Sequence, residues 1–260
     1  WSRVYTLRKQ KRILEQRVKE ATAEVLFQNR LLSQQKEEIE KEKDRSDTLL
    51  LNILPEAVAE ELKRDQKATP RYFPEVSILF SDFIGFTKLS EGMDPQQLVE
   101  ILDAIFREFD RIVGKHNLEK IKTIGDAYMC TGGLHNEPKG QAQQVVAAGL
   151  DMVAAIEKFN RHQRDSGLPE WDIRLGIHTG EVVAGVVGEK KFQFDIWGDA
   201  VNTASRMEST GEKNRVNISH ATYQRIKDIY HCTYRGRIPA KNKGEIEMYL
   251  VEGKISPSEP

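Results

Sequence analysis

The sequence predicts an α+β fold: a β-α-β-β-α-β core, a C-terminal β-α-β-α-β-β extension, and one long helix ahead of both. Three observations predict it. Residues 1–47 hold 12 Lys/Arg and 9 Asp/Glu with no Pro or Gly, and their apolar residues recur every seven positions. From Val76 onward, short apolar runs alternate with long stretches of helical period. Those runs come in close pairs across short turns, which favours a largely antiparallel sheet with helices mainly on one face.

The seven-residue repeat runs through Val4, Val18, Val25, Leu32, Ile39 and Ile53, with Leu7, Leu14, Ala21 and Leu49 three residues after positions of the same frame. Such spacing reads as a parallel coiled coil over residues 1–48, hence a dimer. Lys11 and Ser46 interrupt the first seam position and Gln28, Gln35 and Glu42 the second. A seam this polar is weak, and suits either a plain stalk or one whose register changes on signalling. Arg3, Arg8, Lys9, Lys11 and Arg12, with no acid among the first twelve residues, match the basic flank on the cytoplasmic side of a membrane span, or else a solvated helix face. With Trp1 in place of a starting Met, the expectation is a cytoplasmic fragment of a larger, membrane-attached protein with an upstream sensor. Pro55 ends the apolar patch Leu49–Leu54, and Glu56–Lys63 resumes helical period, so residues 49–70 read as a transducer helix and linker, with Arg64–Pro74 as linker sequence.

In the body, residues 71–255, Val76–Phe80 is a strand ending at Ser81-Asp82. Pro95 to His116 is helical through Leu98, Ile101, Leu102, Ile105, Phe109 and Ile112. Strands Leu118–Ile124 and Ala127–Thr131 flank a tight turn at Gly125-Asp126, and Gln141–Arg164 is a second long helix. Asp172–His178 and Val182–Val187 read as a hairpin about Thr179-Gly180. A helix Asp199–Thr210, a strand Val216–Ser219, a helix Ala221–Ile229 and strands Cys232–Ile238 and Ile246–Val251 come next, with residues 256–260 a tail. The β-α-β-β-α-β order is the ferredoxin-like pattern.

Of the 260 residues, 39 are Lys/Arg and 40 Asp/Glu, a net charge of −1, which excludes a general nucleic-acid binder that relies on a basic face. Cys130 and Cys232 are too few for a disulfide scaffold and too isolated for zinc. No Walker loop exists, and six scattered histidines support no His-based site.

Asp82 ends one strand and Asp126 lies in a turn between two others, so the core topology can bring both carboxylates to one sheet edge. They are hard oxygen ligands, suited to Mg²⁺ or Mn²⁺ carrying phosphates. The next residues, Phe83-Ile84-Gly85-Phe86-Thr87, offer a glycine, a hydroxyl and free amides that can hold an anion. Asn202 and Arg206, four apart on one helix, share a face and can orient a ribose and neutralise a phosphoryl group. Lys241 and Lys243 could reach phosphates from their loop.

Three segments together resemble the class III nucleotidyl cyclase catalytic domain: Val76-Ser-Ile-Leu-Phe-Ser-Asp-Phe-Ile-Gly-Phe-Thr87, Lys120-Ile-Lys-Thr-Ile-Gly-Asp-Ala-Tyr128, and Phe194-Asp-Ile-Trp-Gly-Asp-Ala-Val-Asn-Thr-Ala-Ser-Arg-Met-Glu208. Asn52-Ile-Leu-Pro-Glu-Ala-Val-Ala59 resembles the transducer helix preceding such domains, and the stalk resembles their signalling helices. The resemblance implies that Asp82 and Asp126, with the Phe83 carbonyl, bind two Mg²⁺ or Mn²⁺ ions. It implies that Asn202 positions the ribose, Arg206 stabilises the pentavalent phosphorus and Lys241 meets the terminal phosphates. It places base choice on Lys122 and Asp195, a donor and an acceptor that match adenine N1 and N6, so the implied substrate is ATP. It further implies a head-to-tail homodimer whose two sites each draw residues from both chains. A guanylyl cyclase and a silent nucleotide-binding module are the alternatives; a diguanylate cyclase lacks support because its Gly-Gly-Asp/Glu-Glu-Phe signature is absent.

Overall fold

The computed structural model describes residues 2–134, 141–188, 192–241 and 243–255, so the expected tail at 256–260 and Asn242 lie outside the described residues. The chain divides into two compact units, Trp1–Gln66 and Lys67–Pro260.

In the first unit, α1 runs over Ser2–Leu51. Its seven-residue positions Val18, Val25, Leu32 and Ile39 are 54–68% exposed along this helix. Pro55 has no amide hydrogen to continue the helix and becomes the N-cap of α2, Glu56–Asp65. Lys63 reaches back to Asp47 at 2.6 Å, tying α2 to the end of α1. Among the described residues, no helix is long and apolar enough to cross a membrane.

The second unit carries β1 (Arg71–Phe83), α3 (Phe86–Glu91), α4 (Pro95–Lys115), β2 (Glu119–Ile124), β3 (Ala127–Gly132), α5 (Gln141–Asp165), β4 (Ile173–Val187), β5 (Gln193–Trp197), α6 (Asp199–Ser209), β6 (Val216–Ser219), α7 (His220–Ile226), β7 (Tyr230–Ala240) and β8 (Gly244–Lys254). The sheet order is β2-β3-β1-β4-β6-β8-β7, with β5 paired to β4. Its β2-β3-β1-β4 half is antiparallel throughout, the ferredoxin-like arrangement, and β4–β6 is a parallel pairing. Local chemistry sets the start of α4: the Asp94 carboxylate accepts from the Gln96 and Gln97 amides at 2.9 and 3.2 Å, with Pro95 at the first helical position.

Leu79, Leu175, Ile177 and Val216 point to one face of the sheet and form the core with Phe109 of α4, Val145, Met152 and Ile156 of α5, and Ile226 of α7. Helix α6 lies on the opposite face, closely enough that a Cβ on Gly176 would sit 1.9 Å from the Glu208 nitrogen. Helices α4, α5 and α7 therefore cover one face, with Phe86 and Leu89 of α3 packed against the same core, and α6 covers the other.

The fold corrects three expectations. No hairpin forms at Thr179-Gly180; β4 runs straight through it for 15 residues, pairing Thr179 with Ser77 and Gly180 with Val76. Tight hairpin turns require positive φ, which Gly180 does not adopt. This glycine is explained by closeness instead, since a Cβ there would come within 2.9 Å of Ala200 on α6. The second correction is that the strand folding back on Val183–Val187 is β5, in a segment whose pattern predicts no element. Thirdly, Arg71–Pro74 is strand and not linker: a register shift between Phe73 and Val76 accommodates Pro74, which has no amide to give the ladder.

Candidate active site

Strand pairing assembles the first group of residues. Asp82 is the penultimate residue of β1, directly across the ladder from Arg174 on β4. Ser81 pairs with Tyr128 on β3, so the β2–β3 turn, with Gly125 at φ 62°, carries Asp126 to the end of β1. The two carboxyls lie close enough to act on each other electrostatically. Burial, and next the Asp82 charge, push Asp126 up to about 6, well above the ordinary aspartate range. Paired carboxylates that repel each other this way fit a hard divalent cation, which would replace repulsion with attraction. Among the described residues there is no cluster of three or more His, Cys, Asp or Glu of the kind that cages a metal without outside ligands.

Two residues that sequence pattern does not single out complete this group. Arg174 donates from its Nε to Glu208 Oε1 at 3.0 Å and reaches Asp82 Oδ2 at 3.5 Å. Glu208 is buried, which drives its carboxyl up to about 7 despite Arg174 beside it. Glu208 closes one of the quoted segments, but its partner is invisible without the β1–β4 register.

Beyond Phe83, Gly85 takes φ 71° and caps α3. The amides of Phe86 and Thr87 precede the first helical hydrogen bond, from Lys88 N to Gly85 O. The Phe86 ring packs on Trp171 with centroids 6.2 Å apart, so what this residue presents outward is its backbone.

A second group forms where β2 meets β5. The Lys122 ammonium donates to Asp195, whose other oxygen accepts from the Ile196 amide at 2.9 Å. Their side chains are 26% and 13% exposed, so the pair is largely shielded from solvent while an edge stays open. It presents one fixed donor beside one fixed acceptor.

The third group is on α6. Ala200, Thr203, Ala204, Met207 and Glu208 are the buried face. At about 100° per residue, Asn202 and Arg206 fall on the side turned away from the sheet. Asn202 is exposed and Arg206 half-buried, and neither side chain has a hydrogen-bond or ion-pair partner among the described residues. Lys241 is exposed in the β7–β8 loop, whereas Lys243 bonds Asp199 at the start of α6. His178, also beneath α6, is bonded to Ser219 at 2.7 Å and held down to about 4 by burial, so it stays neutral. The fold thus brings Asp82 to Asp126 and Lys122 to Asp195. Asn202 and Arg206 lie on the side of α6 away from its buried face, and among the described residues neither bonds Asp82 or Asp126.

Residues 69–253 match the family model of the adenylate and guanylate cyclase catalytic domain. An adenylate cyclase of Mycobacterium bovis is 37% identical over 241 residues, covering 92% of this chain and 54% of the relative. Retinal guanylyl cyclase 1 of Rattus norvegicus is also 37% identical, over 235 residues that cover 88% of this chain and 21% of the relative. The chain therefore spans about half, or less, of the length of these curated relatives. Among solved structures, an adenylyl cyclase from P. aeruginosa superposes with TM-score 0.68 at 30% identity, covering 74% of this chain and 99% of the other. The catalytic core of a rhodopsin-guanylyl cyclase with converted specificity, in complex with ATPalphaS, gives TM-score 0.66 at 33% identity, covering 71% and 98%.

Proposed function

This chain belongs to the adenylate and guanylate cyclase catalytic domain family, class III of the nucleotidyl cyclases, and from that premise we propose that it is an adenylyl cyclase, converting ATP to 3′,5′-cyclic AMP and pyrophosphate as a homodimer. The observation that carries the choice of ATP is the Lys122–Asp195 pair. Adenine offers N1 as acceptor and N6 as donor, and guanine reverses both. A lysine and an aspartate held against each other present an N–H donor beside a carboxylate acceptor, the senses adenine requires. A reversed polar contact in a shielded pocket is costly, which makes the pair selective.

Asp82 and Asp126, with the Phe83 carbonyl, would hold two divalent ions, Mg²⁺ or Mn²⁺. When bound, these supply charge neutralisation at the phosphates and a lowered pKa for the ribose 3′-hydroxyl. The chain's own residues do the rest. Asn202 orients the ribose so that its 3′-oxygen lies in line with the α-phosphorus. Arg206 takes up the charge on the phosphorus as the new P–O bond forms and pyrophosphate leaves. The amides of Phe86 and Thr87 and the exposed Lys241 meet the outer phosphates. Because Asn202 and Arg206 lie on the side of α6 away from its buried face, the reading assigns the two sets at one phosphorus to two different chains. A head-to-tail pair gives two such sites, and the seven-residue seam of α1 supports the same pairing.

Purified protein assayed with ATP and GTP under Mg²⁺ and under Mn²⁺ tests the substrate: faster cyclic GMP formation would overturn it. Equal identity to the retinal guanylyl cyclase is what favours that second reading. Mixing Asp126→Ala with Arg206→Ala chains tests the sharing: heterodimers recover one live site, and silence from confirmed heterodimers refutes the arrangement.

A further inference from the structure

Helix α6 has two functional sides. Outward it carries Asn202 and Arg206; inward its last turn carries Glu208, buried and bonded to Arg174 at 3.0 Å, with Arg174 at 3.5 Å from Asp82. The backbone of this turn rests directly on β4 at Gly176, where no Cβ could fit. The contact therefore leaves little slack: moving Asp82 moves Arg174, and Arg174 is held by the helix that bears Arg206. In the shared-site dimer on which this inference rests, one chain's Asp82 serves one site while the same chain's Arg206 serves the other.

We propose that Glu208 is a positioning residue that, through Arg174, makes α6 a through-chain link between the two active sites of the dimer. One end of the link sets the carboxylate geometry of the first site. The other end sets the guanidinium that meets phosphorus in the second. Occupancy of one metal site is thereby felt at the transition-state residues of its neighbour. A structural anchor with no such role would affect both sites alike, or neither.

The one-live-site heterodimer separates the two ends. Its Arg206→Ala chain supplies the live carboxylates, and its Asp126→Ala chain supplies the live Arg206. Adding Glu208→Gln to the Arg206→Ala chain should weaken Mn²⁺ binding about tenfold, the scale of one weakened charge-assisted hydrogen bond. That binding is read by the loss of the free-ion Mn²⁺ paramagnetic resonance signal with 3′-deoxy-ATP, which lacks the attacking oxygen. Adding Glu208→Gln to the other chain should leave Mn²⁺ binding unchanged and lower kcat about tenfold. Arg174→Lys, which keeps the charge but not the two-way reach, should reproduce both placement effects and serves if Glu208→Gln misfolds. Thermal unfolding and dimerisation of every variant are measured alongside. Unchanged Mn²⁺ binding in the first placement, or unchanged kcat in the second, overturns the link. A parent heterodimer with no activity at all instead overturns the shared-site reading, and the link with it.

Discussion

Exchanging the Lys122–Asp195 pair tests the base assignment most directly. In the double variant Lys122→Glu/Asp195→Cys, the donor becomes an acceptor and the acceptor a weak donor, the senses that suit guanine. The wild-type contact is worth exchanging because it is shielded: the Asp195 side chain is 13% exposed and receives donors from Lys122 and, at 2.9 Å, from the Ile196 amide. Each mismatched polar contact left in such a site costs about 1–3 kcal/mol. Two reversed contacts therefore move the ATP:GTP ratio of kcat/KM by about 2–6 kcal/mol, roughly thirtyfold to 10⁴-fold, so the preference inverts. Lys122→Glu alone sets two carboxylates against each other and should depress activity on both nucleotides. Loss of the ion pair costs about 1 kcal/mol at this partial exposure, a drop of about 2–4 °C in Tm. Initial rates of cyclic AMP and cyclic GMP formation with Mn²⁺, on protein shown to be folded and dimeric, give the ratio. A folded double variant that still prefers ATP by about tenfold would refute the base-reading role.

Asp126 gives a pH prediction. Its folded-state pKa of about 6 lies above the unfolded value, so the proton stabilises the fold, and that contribution is lost as pH rises through about 6. Metal-free protein in chelator should melt progressively lower from about pH 4 to 7, with Glu208, raised to about 7, adding to the decline. Asp126→Asn should flatten the decline and melt higher than wild type at about pH 8 while abolishing cyclase activity, as thermal scans and product assays would show. Gly176→Ala sets a methyl 1.9 Å from the Glu208 nitrogen, forcing α6 off β4; denaturant unfolding should show a loss of about 1–3 kcal/mol, with activity falling far more than stability. Lys241→Ala should raise KM for ATP several-fold with little change in Tm, measured by steady-state kinetics. Lys243→Ala, which frees Asp199 on α6, should act on kcat instead.

The core was legible because it rests on local signals. Leu98 to Ile112 keep helical period, Pro95 opens α4, and Gly125 takes the positive φ its turn needs. The candidate residues were read as types in segments, and Glu208 sat at the edge of one without being singled out. What failed was a glycine read locally. Thr179-Gly180 looks like a turn because glycine permits one, but the sequence does not say whether a missing Cβ serves a backbone angle or a neighbour. Here it serves Ala200, a contact set by packing between α6 and β4. Arg174 was hidden for the same kind of reason: its importance comes from lying opposite Asp82, and cross-strand register is a property of the assembled sheet.

The same packing bears on why the site should be divided between chains. On α6, the positions that touch the sheet and the positions that carry Asn202 and Arg206 are set by helical period alone, and they fall on opposite sides. Turning the helix to aim Arg206 at Asp82 would expose Ala204 and Met207, both fully buried, and would pull Glu208 off Arg174. Burying a methionine side chain alone stabilises by about 1.5–3 kcal/mol, more than a half-buried guanidinium gains from a nearby carboxylate. The energetics of one chain thus hold the two halves apart. In the proposed dimer, a second chain presenting the outward side of its own α6 to these carboxylates would let both halves keep their packing and still meet at one phosphorus.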